Sequence, residues 1–93
     1  MPERLVFRIH ALRRMFQRKI SADEVRRIVE TGQAIENYAN DVPYPSQLIL
    51  GWSGNRPLHS VIAMNKKDEE IIIITVYEPS VDEWEEGFTR RKK

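Results

Sequence analysis

The chain has 93 residues and a formal net charge of +1, with 15 lysines and arginines against 14 aspartates and glutamates. It has no cysteine, which excludes a disulfide framework and any thiolate-held metal. No apolar run approaches the ~20 residues that span a bilayer.

This length makes one small domain, residues 1–93, with a modest core. The opening Met1-Pro2-Glu3-Arg4 lacks the apolar centre of a signal peptide, so a cytoplasmic protein is expected. Charge is unevenly spread. Residues 1–31 carry Arg4, Arg8, Arg13, Arg14, Arg18, Lys19, Arg26 and Arg27 against Glu3, Asp23, Glu24 and Glu30. Local clusters decide phosphate binding more than the total does.

Leu5 to Ile9 reads as a short strand or as an extended lead into a helix. That helix runs from about His10 to Lys19. At about 100° per residue, Leu12, Met15 and Phe16 fall on one side as a core face, with His10, Arg14 and Gln17 opposite. Ser21-Ala22-Asp23-Glu24 is a capping box that starts a second helix, and Ile20 staples to Val25. Val25, Ile28 and Val29 make its buried stripe, and Gly32 ends it as a left-handed cap.

After Gly32 the period shortens. Residues 34–38 read as an edge strand, and the two prolines of Pro43-Tyr44-Pro45 mark a loop. Gln47–Trp52, Leu58–Met64 and Ile71–Tyr77 are strands joined by short turns, hence an antiparallel meander. Ile72, Ile74 and Val76 are assigned to the helix side of the last strand, and Leu58, Ile62 and Met64 to that side of the strand before it. With the register in phase His59 lies near Thr75 and Tyr77; a one-residue slip, which the 65–69 loop leaves open, turns it to the other face. Ser80–Glu86 repeats the capping pattern and predicts a short final helix, followed by a fraying basic tail at 88–93. The expected class is α+β: two N-terminal helices on a four-stranded antiparallel sheet, with a short C-terminal helix.

His10-Ala11-Leu12-x-Arg14-Met15, Arg18-x-Ile20-Ser21, Pro43-Tyr44-Pro45-Ser46, Pro57-Leu58-His59 and Ile74-Thr75-Val76-Tyr77-Glu78-Pro79 together resemble the bacterial domain-of-unknown-function family 4258. That family looks like a branch of the RelE-like toxin nucleases, in the wider group with barnase, colicin and EndoU. The resemblance implies a metal-independent endoribonuclease toxin of a toxin–antitoxin pair, with RNA as substrate and an antitoxin, often of zinc-ribbon type, as partner. Its motif falls on His10, Arg14, Arg18, His59, Thr75 and Tyr77. Gln47 stands where a basic residue is expected after Pro45-Ser46.

Cleaving RNA without metal needs a base for the ribose 2′-hydroxyl, positive charge for the phosphorane and an acid for the leaving oxygen. Histidine serves either proton role near neutrality, and arginine forks onto phosphate oxygens. His10 is assigned as base, Arg14 as clamp and His59 as acid, with the two histidine roles exchangeable. Tyr77 or Thr75 donates to phosphate or acts as a weaker acid–base group. Arg13, Arg18 and Gln47 form the RNA-contacting set. No acidic or histidine cluster has metal spacing, and no cofactor is expected. Two further readings stand beside this one. The first is a non-catalytic module that binds nucleic acid or protein. The second is a homodimer or partner complex that covers surplus apolar surface.

Overall fold

The computed structural model describes residues 4–93, so the Met1–Glu3 lead and the charge of Glu3 lie outside the described residues. β1 (Arg4–Phe7) leads into α1 (Ile9–Arg18) and α2 (Ala22–Thr31). β2 (Gln33–Tyr38), β3 (Ser46–Ser53), β4 (Arg56–Asn65) and β5 (Glu70–Tyr77) follow. They form one sheet in the order β1-β5-β4-β3-β2. β2 to β5 are an antiparallel meander, and β1 runs parallel to β5.

The expected four-stranded antiparallel sheet with a C-terminal helix is therefore corrected twice. The segment after residue 3 is a fifth strand, and the sheet is mixed. β5 is rich in isoleucine, and an open edge on such a strand invites further pairing. β1 covers that edge from Glu70 to Ile73, and Arg4 forms an ion pair with Glu70. Among the described residues nothing extends this pairing, so Ile74–Tyr77 is left without a strand on that side.

The second correction concerns Ser80–Glu86, which forms turns and no helix. The Ser80 hydroxyl accepts from the Asp82 amide, two residues on, instead of capping the third. Trp84 is then drawn under the sheet and bridges in antiparallel fashion to Arg91. Glu85 N–H donates to the Arg90 carbonyl, and Lys92 N–H donates to that of Glu83. Gly87 and Phe88 reverse the chain with φ of 87° and 61°. The segment expected to fray is a strap across the sheet.

The helices cover one sheet face, where Ala11, Met15, Val25 and Ile28 meet Ile49, Leu58, Ile62, Ile71, Ile73 and Val76. Burial on this scale, about 25 cal/mol per Å² of apolar area, is the main stabilising term. The meander alternates as expected along β4. Along β5 it does not. Val61 pairs with Thr75 but Ile62 pairs with Ile73, so Ile74 is an extra residue. That bulge switches the alternation, and Ile71 and Ile73, not Ile72 and Ile74, join Val76 over the core.

α1 is also turned from its expected setting. Ala11 and Met15 face the core, while Leu12 is 48% exposed and Phe16 87% exposed. The small Ala11 lets the helix lie close to β5, and this rotation carries Arg14 to a half-buried position. α2 has the expected capping box, with Ser21 Oγ accepting from the Glu24 amide at 3.0 Å and Glu24 Oε1 accepting from that of Ser21 at 2.9 Å.

Two glycines set how closely α2 approaches the sheet. Gly32 is extended (φ −78°), not left-handed. A Cβ there would sit 2.4 Å from the Ile28 carbonyl oxygen and 2.5 Å from that of Leu50. The left-handed cap is Lys19, at the end of α1 (φ 56°). On β3, a Cβ at Gly51 would lie 2.4 Å from Ile28 Cβ, with helix backbone close behind. Gly51→Ala must push α2 off the sheet. The expected cost is about 1–3 kcal/mol, the range for overpacking, read as a lower denaturation midpoint with an unchanged slope.

Candidate functional site

The open edge of β5 brings together Arg14, Arg18 and Tyr77 of the sequence-predicted residues. Arg14 and Arg18 lie four residues apart on α1, so they share a face one turn apart. With Tyr77 at the end of β5 and Arg91 from the strap, they line a cavity of about 390 Å³. Glu78, Ser80, Glu83 and Trp84 complete its wall. Glu78 is held by Arg56, whose Nε donates to it at 2.9 Å. Arg56 also donates to the carbonyls of Arg18 and Lys19, at 2.5 and 3.0 Å. It thereby satisfies the C-terminal end of α1 and fixes the turn that carries Arg18. Three guanidinium groups thus face two carboxylates, one of which is already paired.

Behind Tyr77 stands His59, its direct cross-strand partner. The ring is fully buried, at 0% exposure. Its two nitrogens are not equivalent. Nε2 lies 2.8 Å from the Phe88 carbonyl oxygen, which can only accept, so Nε2 carries the proton. Nδ1 is then an acceptor, and the Tyr77 hydroxyl donates to it across 3.2 Å. With its proton directed inward, the Tyr77 oxygen keeps lone pairs for the cleft. Trp84 packs edge-on against the imidazole at 4.4 Å between centroids, and Arg91 lies over the Trp84 ring at 4.8 Å.

Burial pushes the His59 imidazole below its ordinary value of 6.5, the Arg91 charge adds to this, and the Phe88 hydrogen bond opposes it. The ring is neutral at physiological pH. Burial also raises the Tyr77 hydroxyl above its usual range. The His59 shift has a consequence for stability. Unfolded, the ring takes a proton near 6.5; folded, it does so only at lower pH. Between those values the unfolded chain binds more protons, so stability falls as pH drops below about 6.5 and is full above it. Urea midpoints measured between about pH 5 and 7.5 should show this limb in the native chain and lose it in His59→Gln.

The other predicted residues lie elsewhere. His10 is exposed and lines a second pocket beside the 41–44 loop, not the cleft of Arg14. Ala63, in that pocket, is four residues along β4 from His59, about 13 Å at 3.3 Å per residue. The expected meeting of the two histidines in one arginine-lined cleft does not occur. Thr75 is half-buried opposite Val61, with its carbonyl accepting from Ser60 at 2.9 Å. Gln47 spends its amide on Asn37 at 3.1 Å, near the β2 edge of the sheet. Arg13 is exposed and is not part of the cleft lining. Sequence reasoning missed Arg91 and Arg56. The signal for Arg91 was Trp84, a large ring in a small domain that needs a cover. Arg56 sat in a turn and gave none.

Residues 7–78 match the model of the family described as a domain of unknown function, DUF4258. The chain belongs to that family. The DUF4258 match takes in Arg14, Arg18, His59 and Tyr77 and stops before the strap, so Trp84, Phe88 and Arg91 lie outside it. No curated protein and no solved structure matches the chain. No helix among the described residues is long and apolar enough to cross a membrane.

Proposed function

We propose that this DUF4258 protein binds single-stranded RNA across the α1–β5 cleft and cleaves it without metal, as the toxin of a toxin–antitoxin pair. The observation that carries the reading is the convergence of Arg14, Arg18 and Arg91 on a tyrosine whose proton is already directed to a buried imidazole. Arginines at a phosphodiester neutralise the charge that grows on its oxygens. The resemblance to RelE-like toxin nucleases supports the same chemistry.

In this mechanism the ribose 2′-oxygen attacks phosphorus and gives its proton to the Tyr77 oxygen, while Tyr77 passes its own proton to His59 Nδ1. The P–O2′ bond forms, the P–O5′ bond breaks, and the departing 5′-oxygen takes a proton from water, whose hydroxide then recovers the His59 proton through Tyr77. The imidazolium left behind is steadied by the Phe88 carbonyl at Nε2. His59 thus acts as the base through Tyr77 instead of as a free acid, and His10 has no proton-transfer role. The antitoxin is assigned to the exposed apolar stripe of α1 formed by Ile9, Leu12 and Phe16.

The test is incubation of purified protein with single-stranded RNA in excess chelator. Products ending in a 2′,3′-cyclic phosphate are expected; intact RNA would contradict cleavage. The sealed position of His59 favours one second reading, in which the same cleft holds RNA and does not cut it. Binding without products in that assay selects it.

A further inference from the structure

His10, Arg14 and Arg18 recur every four residues along α1, about 6 Å of rise apart. They form one ridge that leads from the cleft to the pocket beside the 41–44 loop. That pocket holds about 360 Å³, within the size range of small-molecule sites. Pro43, Ala63 and Ile74 give it apolar walls, and Tyr44 adds an aromatic ring. Such surroundings suit a flat, unstacked base, since bases in single strands are commonly read by aromatic stacking and by hydrogen bonds to their edges.

One polar group selects among bases. Asp41 lines the pocket, and its Oδ2 accepts from the Ser46 hydroxyl at 2.5 Å. This anchors the carboxylate and leaves Oδ1 with no protein donor among the described residues. A carboxylate only accepts. Among the four RNA bases, guanine alone presents two adjacent N–H donors, N1–H and N2–H, on its pairing edge. Adenine and cytosine place a ring-nitrogen acceptor beside their amine, and uracil flanks its single N–H with two carbonyls. Each of those arrangements sets lone pairs against the carboxylate. Arg8 and His10, exposed on the rim, are placed to hold the phosphate attached to the base.

We infer that this pocket is a guanine-binding subsite, in which Asp41 reads the base edge, Tyr44 stacks on it and Arg8 with His10 hold the adjoining phosphate. It deepens the RNA reading above, which supplies the strand, and gives His10 a binding role.

The test titrates the 3′-monophosphates of guanosine, adenosine, cytidine and uridine into the full-length isotope-labelled chain. Guanosine 3′-monophosphate should bind about tenfold or more tightly than the others, the discrimination expected of a bidentate contact, and should shift the signals of Tyr44, Ala63 and Ile74. Asp41→Asn should erase that preference while preserving the fold, because an amide oxygen still accepts from Ser46. Tyr44→Ala should weaken all four nucleotides alike. Equal affinities for the four, or a guanine preference that survives Asp41→Asn, overturns the subsite. Longer RNA that binds at Arg14 and Arg18 but leaves Tyr44, Ala63 and Ile74 undisturbed overturns the subsite alone. A guanine preference with no RNA binding at the arginines supports the subsite and overturns the cleft reading.

Discussion

Tyr77→Phe should cut RNA cleavage at least 100-fold while leaving RNA affinity within about twofold. The substitution removes one oxygen and keeps the ring against His59, where the centroids lie 5.3 Å apart. The core is left intact, because Tyr77 is half-buried at the end of β5 and outside the buried core cluster. What is lost is the cleft hydroxyl that hydrogen-bonds the buried imidazole. Positioned acid–base groups contribute roughly 10²–10⁴-fold, so a loss in that range is the signature of proton transfer. A merely structural tyrosine would lower affinity and stability together and leave the per-site rate of bound RNA unchanged.

The pH profile separates the roles further. The base must be neutral to accept a proton, and burial holds His59 below 6.5, so activity should fall only below the ordinary histidine value. His59→Gln should remove that acidic limb. An acidic limb that survives His59→Gln would take the base role away from His59.

Replacing both Arg14 and Arg18 by alanine should weaken single-stranded RNA binding by at least tenfold and flatten its salt dependence. Each phosphate contact on a single strand contributes about 0.7 to the slope of log affinity against log salt. Two lost contacts should therefore lower the slope by about 1.4. The Arg56 hydrogen bond to the Arg18 carbonyl survives the substitution, so the end of α1 stays anchored. Arg13→Ala is the internal control. It removes the same charge from the same helix outside the cleft, and should change affinity little at physiological salt. An equal effect from Arg13 would mean a diffuse field and no defined cleft.

Periodicity and capping made much of this fold legible. The Ser21–Glu24 box, the Val25–Ile28 stripe and the meander from β2 to β5 follow from side-chain spacing and turn chemistry. Alternation placed His59 on the face of Tyr77 only for one register, and the direct pairing of the two is fixed by the structure. Three features were not legible, each for a physical reason. The Ile74 bulge changes which isoleucines face the helices, and a run of four isoleucines carries no mark of where the extra residue sits. The rotation of α1 was hidden because Leu12 and Phe16 score as core residues by type, while Ala11, the true contact, is small. The strap over His59 is fixed by long-range contacts of Trp84, Phe88 and Arg91 that no local pattern encodes. Of the proposed site, Arg14, Arg18, His59 and Tyr77 were visible in the sequence and Arg91 was not. The separation of His10 from His59 was not, because it depends on where the 41–44 loop and the strap each close over the sheet.

The most direct measurement is a titration of labelled protein with a short single-stranded RNA bearing a 2′-O-methyl group at every ribose, which can bind but cannot be cut. The account predicts saturable shifts at Arg14, Arg18, Tyr77 and Arg91 that weaken as salt rises. Shifts confined to other surfaces, or none at all, would contradict it.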